Sequence, residues 1–331
     1  MNRRDTVFAL LALGAAPLAA QTQQAQGVRR IGFFSLDTSD SEAGRQAQKM
    51  FPEALGRLGY RERENIVIDW RWADGITANL PGLAADLVRS NLEVVVARTN
   101  ASIRAAIEAT RTIPIVMFNG NFPVENKFVE SLAHPGGNVT GTSYLSAEMF
   151  EKQIQIIKEL VPRTVRIAAL LNANMRGTQL ESVIRTSLNR AATALGIAVQ
   201  YFEVRHPEEI GAALNMIAAS GINAFWYSGD PIFRVRTAEI MAFLRDHKLA
   251  SIATIPTFAE GGGLAHYAPD IRAFYDRTAS YVDRILKGAQ PADLPVEEPT
   301  KFELVINLKT AKALGVTIPQ SILLRADRFI E

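Results

Sequence analysis

The chain has 331 residues, 48% of them hydrophobic, a formal net charge of +2 and no cysteine. That length allows about two domains with a large buried core. The missing cysteines exclude disulfides, thiolate metal sites, a cysteine nucleophile and a lipidated N-terminal cysteine, while scattered Lys and Arg leave no basic excess for binding nucleic acid.

Residues 1–20, MNRRDTVFALLALGAAPLAA, carry Arg3 and Arg4, an apolar run from Val7 to Ala16 and then small residues. This is the three-part layout of a cleaved secretory signal. The apolar run is shorter than the roughly 20 residues of a spanning helix. The paired arginines suit a twin-arginine signal and an ordinary positive leader equally. The expected product is a soluble protein that is periplasmic or otherwise exported.

Beyond a Gln-rich stretch, short apolar runs alternate with segments of helical spacing. Strands are predicted at 30–35, 65–72, 93–97 and 113–118, with helices near 42–59, 78–90 and 100–111; Leu80, Leu83 and Leu87 show the helical period. The same grammar restarts with strands at 166–171, 198–204, 224–228 and 251–254 and helices near 177–195, 208–219 and 232–247. The predicted fold class is α/β: two doubly wound, parallel-sheet lobes in succession.

Between the two series lies HPGGNVTGTS, residues 134–143. Its glycines suit a turn feeding an interlobe crossover, and its Asn-Val-Thr is read as an accidental sequon. Further crossings are expected at GLAHYAP, 263–269, and in the proline-rich PADLPVEEPT, 291–300. Three connections would make a hinged clamshell. The expected first lobe comprises 28–140 with 269–293, and the second 141–268 with 294–331.

Open α/β sheets take ligands beyond the carboxyl ends of their strands, which directs attention to the loops there. After the first strand, Asp37 and Thr38 offer ligand hydrogen bonds or helix capping. Thr99, Asn100, Ala101 and Ser102 follow a buried strand and open a helix, where an anion could sit, though capping alone also explains Asn100. Asn119, Asn121 and Phe122 belong either to a ligand-approaching loop or to an ordinary turn. In the second series the corresponding positions are Asn172, Tyr227, Asp230 and Phe258. Asp230 suits a ligand ammonium or the cap of a helix starting at Pro231, or both, since a carboxylate has two oxygens. Tyr267, at the expected second crossing, serves packing or contact.

Signs of catalysis are few. His134, His206, His247 and His266 are far apart in the chain, with no pair at metal-ligand spacing, and no GxSxG, Walker or GxGxxG pattern occurs. Neither metal nor cofactor is expected. A hydrolase would need a nucleophile and base that the sequence does not display.

The C-terminal run LPVEEPTKFELVINLKTAKALGVTIPQSILLRADRFIE (294–331) stands with IPIVMF (113–118), SLAHPGGNVTGTS (131–143), KELVP (158–162) and YVDRILKGAQPADLPVE (281–297). Together these resemble the ABC-transporter substrate-binding family that includes tryptophan- and tyrosine-type uptake proteins. The resemblance implies a type I periplasmic-binding-protein fold without enzymatic activity. It further implies an amino acid between the lobes, its carboxylate at Asn100 to Ser102, an acidic residue on its ammonium, and delivery to a membrane permease. Family members commonly carry Gly-Asp-Pro-Val where this chain has Asn121-Phe122-Pro123-Val124, so Phe122 replaces the acid. Either Asp230 compensates or the ligand is an aromatic or other organic acid. An exported ligand sensor of the same fold, without transport, is the alternative function.

Overall fold

The computed structural model describes residues 27–144, 146–255 and 257–331. The expected leader, residues 1–20, lies outside the described residues.

The first series folds as β1 (Arg29–Ser35), α1 (Glu42–Arg57), β2 (Ile66–Trp72), α2 (Leu80–Arg89), β3 (Val94–Arg98), α3 (Asn100–Ala109), β4 (Ile115–Phe118) and β5 (Val139–Gly141). Its five strands pair in parallel in the order β2-β1-β3-β4-β5. Val94, Val95, Val96 and Ala97 are all buried because both faces of the sheet are covered. Val94, Val96 and Phe118 pack on one side with Phe33 and Phe51, while Val95, Ala97 and Met117 pack on the other with Leu80, Leu87 and Ile103.

The second series comprises α4 (Ala147–Leu160), β6 (Arg166–Asn172), α5 (Gln179–Ala194), β7 (Ala198–Val204), α6 (Ile210–Ala219), β8 (Ala224–Tyr227), α7 (Pro231–Arg234), α8 (Thr237–Asp246), β9 (Ala250–Ala253) and β10 (Ala265–Pro269). The chain continues through α9 (Ile271–Leu286), β11 (Phe302–Asn307), α10 (Leu308–Leu314), α11 (Gln320–Leu323) and β12 (Arg328–Ile330). This sheet has the order β12-β11-β10-β9-β8-β6-β7 and is parallel except for β10 against β11. Trp226, buried in it, donates from Nε1 to Gln153 Oε1 at 2.6 Å, tying α4 to the sheet.

Helix starts follow local chemistry. Ser41 caps α1 by accepting from Gly44 N–H, Ser146 caps α4 through Met149 N–H, and Thr178 caps α5 through Glu181 N–H. Asp270 caps α9, accepting from Arg272 and Ala273 N–H. Although it lies late in the chain, α9 packs with the first sheet: Phe274, Tyr275, Ala279 and Val282 join the cluster around Phe33 and Phe118.

HPGGNVTGTS does turn a corner. Asn138 Nδ2 donates to the Ile113 carbonyl at 2.8 Å, β5 completes the first sheet, and Gly141 ends it at φ 128°. Ser143 N–H then donates to the Glu297 carbonyl at 2.9 Å and Glu297 N–H to the Gly141 carbonyl at 3.0 Å, so the outgoing chain runs beside the segment returning before β11. In GLAHYAP, residues 265–269 are β10, an interior strand paired with β9 and β11, and the chain leaves this sheet directly after it, at Asp270. That these residues are a strand is not foreseen from the sequence, because the partner strand β11 is distant in it.

Candidate functional site

Two adjoining cavities, of about 490 and about 320 Å³, share Arg98, Asn119, Tyr144 and Ile255 and so form one cleft. One wall comes from the first sheet, at the ends of β3 and β4, and the other from the second, at the ends of β8 and β9. This is where open sheets leave room, because the loops after parallel strands diverge into the flanking helices.

The smaller cavity is lined by Thr99, Asn119, Asn121 and Asp230, with Phe150, Met175, Leu180 and Ile184 giving it an apolar side. The larger is lined by Asn119, Tyr227 and Phe258, with Glu42, Gln46, Thr237 and Met241. Six sequence-nominated residues therefore border the cleft. The remaining eight do not line either cavity, and each has another place in the structure.

Asp37 accepts from Ser35 Oγ at 2.8 Å and lies 3.5 Å from Arg98 Nε. Thr38 accepts from Ser41 N–H at 3.1 Å in the turn before α1. Asn100 pins the loop after β4, donating to the Asn121 carbonyl at 3.0 Å and accepting from Asn121 N–H at 2.8 Å. Ala101 packs on a core cluster, and Ser102 is buried with its Oγ 3.4 Å from Thr99 Oγ1. Phe122 stands at φ 51°, and its carbonyl accepts from Asn126, closing a turn. Asn172 donates to Asp230 Oδ1 at 3.1 Å. Tyr267 stacks on Phe302 at 5.2 Å, and its carbonyl accepts from Gln153 at 2.7 Å.

Asp230 does cap α7: Oδ1 accepts from Ile232 N–H at 3.0 Å as well as from Asn172. Its other oxygen remains for the cleft. On the facing wall, Thr99 adopts φ 76° and ψ 151°, a conformation costly for a β-branched residue, and gives α3 no side-chain cap. The Asn119 and Asn121 Oδ1 atoms are enclosed without a hydrogen-bond partner, a deficit that a ligand donor would repair.

Arg98 heads the Arg98–Ser102 segment that the sequence singles out, but is not itself among the nominated ligand contacts. Its side chain is 12% exposed, Nη1 donates to the Ala43 carbonyl at 3.0 Å, and the guanidinium lies 5.5 Å from the Phe118 ring centroid. A usable signal existed, because a charge directly after Val-Val-Val-Ala must be desolvated or employed. Beneath it Tyr275 is buried with its hydroxyl unpartnered, and burial pushes that phenol's pKa up to about 12. Leu180 and Ile184 carried no such signal, since helical spacing makes them look like core. Among the described residues, no group of three or more His, Asp or Glu is gathered to hold a metal ion.

Residues 40–330 match the family described as ABC transporter substrate binding protein. The chain belongs to that family. It is 27% identical over 272 residues to a tyrosine-binding protein of Clostridioides difficile, a match covering 82% of this chain and 77% of the relative. Among solved structures, a Streptococcus pneumoniae ABC domain in complex with L-Trp superposes with a TM-score of 0.80 at 26% identity, covering 91% of this chain and 99% of the other. A ligand-free, open substrate-binding protein of Clostridium difficile gives 0.73 at 23% identity, covering 92% and 99%. The two α/β units thus have the type I periplasmic-binding-protein fold. Members of the family are binding proteins that work outside the cytoplasm, and no helix among the described residues is long and apolar enough to cross a membrane.

Proposed function

We propose that the protein is a periplasmic receptor of an ABC importer, exported through residues 1–20, that captures a small organic ligand between its lobes and presents it to a membrane permease. The observation that carries this reading is the cleft itself, walled by the strand ends of two separate sheets. Ligand binding would favour a closed arrangement by touching both walls at once, which is the differential contact a population shift requires. The closing bodies follow the expected 28–140 with 269–293 and 141–268 with 294–331, except that Leu294 and Val296 pack in the core of the first body; the chain exchanges near Gly141 and Pro269, the last residues of β5 and β10.

The ligand is an amino acid, aromatic members included, or an organic acid. Thr99, Asn119, Asn121, Tyr227, Asp230 and Phe258 contact it directly. A carboxylate suits the start of α3, where helix N–H groups and the helix dipole favour negative charge, and the apolar side of the smaller cavity takes the body of the ligand. A thermal-shift screen of the purified protein against amino acids, aromatic acids, dicarboxylates and small amides tests this. A ligand at about 100 times its Kd adds about 2.7 kcal/mol of stability. Asp230→Ala should abolish the shift while the protein still folds; turnover of the ligand, or no stabilisation by any class, would overturn the receptor reading.

A further inference from the structure

The geometry points to Arg98 as the residue that sets ligand class: it receives a carboxylate, and the preferred ligand is an organic acid with an apolar body and no α-ammonium. This inference rests on the receptor reading above.

Arg98 is the terminal residue of β3 and borders both cavities. Its charge is largely removed from water, yet its compensation is incomplete. Asp37 Oδ2 stands 3.5 Å from Nε, too far for a charge-assisted hydrogen bond, and that oxygen already accepts from Ser35 Oγ. Nε is enclosed with no hydrogen bond at all. A guanidinium so placed, with Nη1 fixed on the Ala43 carbonyl, is pre-oriented for one more anion. The positive end of α3 begins two residues further on and adds to the same field.

The first-sheet wall offers little to an ammonium beside that carboxylate. In the smaller cavity its remaining polar groups are neutral amides and hydroxyls, Asp37 lines neither cavity, and the one acid on this wall, Glu42, borders only the larger cavity, where Thr257 Oγ1 stands 3.5 Å from its Oε2. An ammonium in the smaller cavity would face the Arg98 cation and find only the oxygens of Asn119 and Asn121 on this wall. Asp230 lies on the opposite wall with one oxygen occupied twice, better suited to a hydroxyl at the far end of the ligand than to an α-substituent.

The test is calorimetric titration of the purified protein with L-tyrosine and L-tryptophan, their desamino acids, and the neutral primary amides of those acids. Desamino acids should bind about tenfold tighter than their parents, and Arg98→Gln should weaken them by about ten- to a hundredfold while leaving the neutral amides nearly unchanged. Asp37→Asn should act in the opposite direction, tightening the acids several-fold, because it removes the charge that partly neutralises Arg98. That second variant keeps the test decisive if Arg98→Gln does not fold. Tighter binding of the amino acids, or an Arg98→Gln protein with full affinity for the acids, would overturn the inference while upholding the receptor. No binding by any of these probes, with a hit elsewhere in the broad screen, would also overturn this ligand class and leave the receptor reading standing.

Discussion

Replacing Gly141 by alanine should be among the most damaging single-methyl changes in the chain, for a reason visible in the backbone. Gly141 sits at φ 128°, and a Cβ there would fall 2.5 Å from the Met117 nitrogen and 3.0 Å from its carbonyl carbon, with the carbonyl oxygen nearer still. None of these atoms belongs to a side chain that could swing away. They belong to β4, whose Met117 is the register partner of Gly141, and Thr142 N–H donates to the same carbonyl at 2.9 Å. Backbone strain of about 1–3 kcal/mol combines with about 1–3 kcal/mol for forcing packed segments apart, giving a loss of about 2–6 kcal/mol. Against a total stability of about 5–15 kcal/mol this lowers Tm by on the order of 10 °C. The control lies four residues away in the same motif: Gly137 is exposed, a methyl added there would meet no neighbour within 4 Å, and it needs no positive φ. Gly137→Ala should stay within about 1 kcal/mol of wild type. Urea and thermal denaturation of both variants would decide the matter. If Gly141→Ala matches Gly137→Ala to within about 0.5 kcal/mol, the claim that close backbone approach dictates this glycine is wrong.

At Thr99 the reverse change should help, since Thr99→Gly relieves a β-branched residue held at φ 76°; stability should rise by about 0.5–2 kcal/mol net of the entropy glycine adds to the unfolded chain. Denaturation midpoints would show it, and a loss would mean that the Thr99 side chain contributes more than its strain costs. Alkaline stability should also be distinctive. Burial raises Tyr201 and Tyr275 to about 12, and burial with the Asp283 hydrogen bond raises Tyr60 to about 12. Phenols harder to ionise in the folded state stabilise it fully below the unfolded pKa near 10 and lose that contribution as pH rises through about 12. Stability should therefore fall between pH ~10 and ~12; tyrosine absorbance titrating wholly near pH ~10 in the folded protein would contradict this.

Much of the fold was legible because it is written locally. Val94 to Ala97 read as a buried strand since both faces of a parallel sheet need apolar side chains, and Ser41, Thr178 and Asp270 cap the helices that follow them. The loops that carry Thr99, Asn119, Asn121 and Asp230 followed from the same alternation, as strand ends facing a cleft. The crossing expected near GLAHYAP falls at its end, after Pro269, but that 265–269 are themselves a strand was not legible, because β10 is defined by pairing with 302–307, which no local pattern announces.

The sequence by itself determined two α/β units, most of their strands and helices though not α4, β10 or the elements from β11 onward, the glycine-bearing passage between them and the loops at the cleft, since each of these depends on periodicity or on the chemistry of adjacent residues. Only the tertiary structure decided which loop residues reach the cavity and which serve as props. Asn100 spends both ends of its amide on Asn121, Asn172 supports Asp230, and Tyr267 stacks on Phe302. It also brought out Arg98, whose meaning depends on Asp37, Ala43 and Phe118 arriving from three other segments. The physical reason is that a side chain's unspent hydrogen-bonding capacity and desolvation are set by neighbours distant in sequence, and those two quantities separate a ligand contact from a structural one.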